Sequence, residues 1–164
     1  MSDRTAELRE ILTTNYEDIR SLLNRIRDDD FAKPTDAGWP VRTLAGHIAG
    51  APRGAIFITK RLAAGRNATV PGFLSFILSL RNWLGVRKFN KATKVDLLRE
   101  WENSHNDLLA YVTTLTDEQL DKGGTVMGMG EHTAYSFLAK GVAQHAQEHA
   151  NDIRKAIGPA VVSA

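Results

Sequence analysis

LAKGVAQHAQEHANDIRKAI, residues Leu138 to Ile157, is the stretch on which the reading of this chain turns. Apolar residues recur at helical spacing, and Gly158-Pro159 supplies a glycine stop followed by a residue that cannot continue a helix. With Leu138 at zero and 100° per residue, Val142 falls near ~40°, Ile153 near ~60° and Ala156 near ~0°. His145 falls near ~−20° and His149 near ~20°, in the middle of that apolar stripe. An unpaired polar group in a core costs on the order of 1–3 kcal/mol, so two imidazoles in one stripe need a common reason. His-x-x-x-His on a helix presents both rings to one point and is a frequent way to hold a divalent metal.

Working outward, three more segments carry helical periodicity, and no segment shows sustained strand alternation. The spacing predicts helices near 5–28, 40–64, 93–115 and 131–157. Pro40 suits the opening of the second, while Pro52 inside it predicts a kink or brief break after Gly50. Thr93-Lys-Val-Asp and Thr116-x-x-Gln119 read as capping boxes. The glycines at 123, 124, 128 and 130 read as a flexible connection. Four amphipathic helices bury their stripes best as an all-α four-helix bundle, here a single domain over residues 1–164. The connection from Gly65 to Ala92 is long, which implies a crossover with the second and third helices running in the same direction. Within it, Pro71 to Leu84 can form an amphipathic helix over the bundle, and an exposed FLSFILSL face there would favour a homodimer.

This topology supplies a third imidazole. His47 stands roughly 10 Å from the end where helix two begins, against roughly 12 Å for His149 and 18 Å for His145. Three histidines at similar depth leave a coordination position open, the pattern of catalytic rather than structural metal sites. His105 reaches comparable depth on helix three, as a group behind the ligands, a proton shuttle or an ordinary boundary histidine. His132 is expected to be exposed, and Trp39, Trp83 and Trp101 to pack. Arg42 and Arg53 are candidates for positioning a substrate carboxylate.

Composition narrows the function classes. The absence of cysteine excludes disulfide scaffolds, thiolate nucleophiles and Cys-type zinc or iron–sulfur sites. No apolar run approaches the ~20 residues of a membrane span, and the polar start MSDRTAELRE lacks a signal peptide, so a cytoplasmic protein is expected. Net charge is +2 but uneven: −2 over Met1–His47, +9 over Ile48–Val95 without a single acid, and −5 from Asp96 onward. The basic block either faces an anionic partner or pairs with acidic helices of the same fold. It lacks the aromatic interleaving of a single-strand groove and any helix-turn-helix signal, so no nucleic-acid partner is expected.

GWPVRTLAGHIA at Gly38–Ala49 and HAQEHANDIRKAIG at His145–Gly158 resemble the two signatures of the DinB/YfiT superfamily, the rest of the chain following in element order. Asn151 and Asp152 stand where members often carry Gln, and Pro40 where Ser or Thr is usual. The resemblance implies an up-down-down-up four-helix bundle and one divalent metal, nickel or zinc, bound by His47, His145 and His149. It also implies either a hydrolase or a transferase using a low-molecular-weight thiol, with a small-molecule substrate; the mycothiol-dependent maleylpyruvate isomerase group is included. Lack of cysteine is compatible with a thiol that arrives as cofactor. The alternative class is a non-catalytic metal- or ligand-binding helical module. His145-Ala-Gln-Glu148-His149 also matches the inverted zinc-peptidase motif, but no glutamate follows Glu148 and that residue lies off the histidine stripe, near ~−80°.

Overall fold

The computed structural model describes residues 3–69 and 89–159. Its long helices are α1 (Asp3–Arg25), α2 (Val41–Ala63), α3 (Lys94–Val112) and, at the end, α6 (Val142–Ile157). Between α3 and α6 lie a short helix α4 (Asp117–Asp121), strands β1 (Gly123–Val126) and β2 (Gly130–Thr133), a single turn α5 (Ala134–Ser136) and a π-helical segment at Phe137–Gly141. The protein is thus mostly helical with one small two-stranded sheet. The expected amphipathic helix at Pro71–Leu84, with the FLSFILSL face and Trp83, lies outside the described residues.

Both capping boxes form. Thr93 accepts from the Asp96 amide at 3.2 Å while its own amide donates to Asp96 at 2.9 Å. Thr116 and Gln119 make the same reciprocal pair at the start of α4. Pro40 is the cap of α2 rather than its first residue, and α2 runs through Pro52 without a break.

The glycine-rich connection is ordered as a hairpin, where sequence reading expected only flexible chain. β1 and β2 pair antiparallel from Gly123↔Thr133 to Val126↔Gly130, closing through Gly128 at φ +78°. That left-handed conformation is one glycine adopts without strain. Ala68, just beyond α2, joins the hairpin through hydrogen bonds to Thr125 and from Met127. Four-residue strands half made of glycine carry no readable alternation. Because β2 takes residues 130–133, the final helical run opens at Ala134 under a Thr133 cap, not at Glu131.

Two apolar clusters fill the interior. One gathers Leu8, Leu12, Leu62, Leu108, Val112 and Leu138. The other gathers Ile19, Leu23, Leu44, Ile48, Trp101, Ala146, Ala150 and Ile153. Cross-helix partners fix the neighbours. Along α2 and α3 they advance together: Arg42 donates to the Ala92 carbonyl, Ser104 to the Ala49 carbonyl, and Lys60 lies over the Tyr111 ring. Between α1 and α3 they run in opposite order, Lys94 donating to the Asn24 carbonyl and Trp101 Nε1 to that of Tyr16. Between α1 and α6 they advance together again, from Gln147 with Asn15 to Arg154 with Asp18 and Arg25 with Gly158.

Candidate metal centre

His47 sits on the second turn of α2 between the fully buried Leu44 and Ile48, so the core packing of those two aims its ring at the neighbouring α6. His145 and His149, one turn apart, flank Ala146 and Ala150, which are buried. The small alanines let α2 and α6 approach closely enough for the rings to meet. His47 Nε2 and His145 Nε2 are 3.1 Å apart, and one ring nitrogen from each of the three histidines lies within 4.8 Å of the others. The ring centroids stand 4.7–5.2 Å apart, each pair nearly edge-on.

The donor chemistry fits a divalent ion. Imidazole nitrogens at 2.0–2.1 Å from a tetrahedral zinc stand roughly 3.3 Å apart, close to the observed His47–His145 spacing. Burial first, and then the neighbouring imidazoles, push the His47 pKa down to about 4, and His145 is lowered for the same reasons. Both rings are therefore neutral and able to donate lone pairs at neutral pH. Among the described residues, no carboxylate belongs to the convergent set, so three neutral ligands would leave the full charge of a bound cation to act on whatever occupies the open side.

The centre has an aromatic wall that sequence reading placed only in the packing. Trp39, half-buried just before the Pro40 cap, meets the His47 ring edge-on with centroids 5.4 Å apart. Its signal was available in its place immediately ahead of the helix, because side chains early in α2 lean back toward the N-terminus. Trp101, by contrast, packs as expected, 2% exposed.

The other sequence candidates fall elsewhere. His105 is 4% exposed on α3, stacked on Tyr16 at 4.4 Å and outside the convergent set. Its Nε2 has no partner, and burial lowers its pKa to about 4. His132 is half-buried in β2 rather than exposed at a helix start, with Nδ1 3.2 Å from Ser136 Oγ. Glu148 is exposed and accepts from Gln144, away from the peptidase role its motif suggests. Arg53 is paired with Glu100 and Asp107 on α3, and Arg42 donates to a carbonyl while covering the Phe31 ring. Both arginines, of which Arg53 belongs to the basic block, are thus engaged within the fold.

A mostly helical protein whose long helices bring three histidines to one point is the class that fold and site define. The chain belongs to the DinB superfamily, whose sequence profile matches residues 11–153. YfiT from Bacillus subtilis, described as a probable metal-dependent hydrolase with an unusual four-helix bundle topology, is similar in structure. The TM-score is 0.70 at 19% identity, over 98% of this chain and 91% of that one. A mutant of the mycothiol-dependent maleylpyruvate isomerase aligns with TM-score 0.71 and 12% identity, over 93% of this chain and 63% of that one. An uncharacterized protein from Clostridium difficile 630 gives 0.66 and 16%, over 94% and 96% of the two chains. At these identities the likeness speaks for the fold. No functionally curated protein matches the sequence. Among the described residues, no helix is long and apolar enough to cross a membrane.

Proposed function

We propose that His47, His145 and His149 hold one divalent metal, zinc or nickel, in an enzyme that acts on a small substrate by thiol-cofactor transfer or hydrolysis. The observation that carries this reading is the convergence of three imidazole nitrogens within 4.8 Å on two packed helices, without a carboxylate among them. When bound, such an ion supplies Lewis acidity that lowers the pKa of a water or a thiol. The chain's own part is to hold neutral imidazoles in place: α2 and α6 fix their spacing, and burial keeps His47 and His145 unprotonated. Trp39 covers one side of His47 and narrows the approach. The chain is read as one domain over residues 1–164, with the long helices in up-down-down-up order. The cross-helix partners of α1, α2, α3 and α6 support that order.

The test has two stages. Elemental analysis of purified protein should find about one zinc or nickel per chain, and none in the triple variant His47→Ala, His145→Ala, His149→Ala. Loaded protein is then given a bacillithiol or mycothiol with an electrophile and, separately, esters and amides. Metal-dependent conjugation assigns the transferase, metal-dependent cleavage the hydrolase. Turnover that the triple variant retains would sink the reading.

A further inference from the structure

The centre described above leaves one ligand without support on its outer side. His149 Nδ1 is buried and, among the described residues, makes no hydrogen bond, which leaves a desolvated polar atom unanswered. The nearest candidate is on the same helix, one turn on, where i and i+3 side chains are neighbours. Asp152 Oδ2 stands 3.9 Å from His149 Nδ1. Three observations place this carboxylate behind the ring and not in the centre. It does not belong to the set of groups that converge with His47 and His145. Its approach is to Nδ1, while His47 and His145 meet through Nε2. Among the described residues, no hydrogen bond holds it elsewhere, Lys155 on the next turn being paired with Asp36 instead.

We propose that Asp152 is a positioning residue for the metal centre: it takes the Nδ1 proton of His149 in a hydrogen bond, which leaves Nε2 unprotonated and turned toward His47 and His145. A charge-assisted N–H···O contact needs about 2.7–2.9 Å, so the carboxylate has roughly 1 Å to close, within reach of its side-chain torsions. Both groups are partly shielded, with 23% and 29% of their side chains exposed, so water does not fully replace the contact. A carboxylate in that place fixes the tautomer and raises the basicity of the coordinating nitrogen. The effect on metal affinity rests on the three-histidine reading, but the tautomer does not.

The experiment therefore reads both. Long-range nitrogen–proton correlations of the imidazoles in metal-free protein at neutral pH should show His149 protonated on Nδ1 in the wild type. In Asp152→Ala that preference should be lost, and in Asp152→Asn, which keeps the shape and an acceptor, it should be weakened. Zinc dissociation constants from competition with a chromophoric chelator should rise about 10–100-fold in Asp152→Ala and less in Asp152→Asn. The metal-free melting temperature of Asp152→Asn, which reports the fold alone, should match the wild type. An unchanged His149 tautomer in a folded Asp152 variant overturns the proposal, whatever the zinc affinity. A wild type that shows the Nδ1 tautomer, loses it on substitution and yet binds no zinc would overturn the metal reading and leave this one standing.

Discussion

Gly46, the residue before His47, offers a sharp test of how the start of α2 is packed. A Cβ built there would lie 2.3 Å from Phe89 Cγ, 2.4 Å from its Cβ and 2.5 Å from its Cδ2, so Gly46→Ala cannot coexist with the present ring position. Phe89 is 7% exposed, and driving it out forfeits about 1.5–3 kcal/mol of apolar burial. Against that, alanine in a helix interior is favoured over glycine by about 0.8–1 kcal/mol. The net expectation is a loss of roughly 0.5–2 kcal/mol, or some 1–8 °C in melting temperature for a chain of this size. Gly50 and Gly54 on the same helix serve as controls, because a Cβ at either meets none of the described residues within 4 Å. Each should gain up to about 1 kcal/mol as alanine. Urea unfolding followed by circular dichroism, with unchanged m-values, would read all three. The displaced ring also abuts the turn that carries His47, so zinc affinity should weaken in Gly46→Ala and hold in Gly54→Ala. If Gly46→Ala proves as stable as Gly54→Ala, the contact between Phe89 and α2 is not what the geometry indicates.

Three further outcomes are expected. His105 has a folded pKa of about 4 against an ordinary 6.5, so the unfolded chain binds its proton first and stability falls as pH drops from 6.5 to 4. His105→Leu should remove roughly 3 kcal/mol of that fall, seen as a flatter stability profile between pH 7 and 4; an unchanged slope would contradict the buried neutral ring. Asp30, buried between α1 and α2, accepts from the Arg27 guanidinium at 3.2 Å, pairs with Lys33 at 2.8 Å and accepts from the Arg27 amide at 2.9 Å, and these partners, the guanidinium first, hold its pKa far below the carboxylate range. Asp30→Asn should cost about 1.5–3 kcal/mol at pH 7, and the two proteins should converge only in strong acid, where the carboxyl is protonated and its contribution is gone. Single substitutions His47→Ala, His145→Ala and His149→Ala should each strip most of the zinc. Since His47 titrates near 4, wild-type protein in excess zinc should still hold metal below pH 6.5, and full release above that pH, read by equilibrium dialysis, would count against the lowered value.

What sequence could show and what it could not divides along physical lines. Long stripes such as Leu8, Leu12, Ile19, Leu22 and Leu23 repeat often enough to reveal α1, and the reciprocal boxes at Thr93 and Thr116 mark two helix starts because the chemistry is local. The hairpin at Gly123–Thr133 left no such trace, since it depends on pairing and on Ala68, a partner distant in the chain. The role of Arg53 was hidden for the same reason: its partners Glu100 and Asp107 become neighbours only when α2 and α3 pack. His47 could be grouped with His145 and His149 from depth alone because helices are rigid rulers, at about 1.5 Å per residue. The rotation of those histidines was a different matter.

A wheel drawn at a constant 100° per residue put His145 and His149 at the centre of the stripe begun by Leu138. The π-helical segment at Phe137–Gly141 breaks that count. A turn closed by i→i+5 bonds takes one more residue than an α-turn, which sets every later position back by about 100°. The buried line of α6 becomes Ala146, Ala150 and Ile153, and both histidines move to its flank, half-buried. Gly141, its last residue, packs tightly there: a Cβ would meet Phe137 Cδ2 at 2.9 Å and Met129 Cε at 3.0 Å. The consequence falls on the histidine cluster. Centred in the core, two imidazoles would have been enclosed among Leu and Ile side chains. On the flank they are half-buried and still meet His47 across the α2–α6 contact, with Trp39 edge-on to the His47 ring. The local departure from α-helical geometry is thus what moves His145 and His149 from the middle of the core line to its edge, where they meet His47.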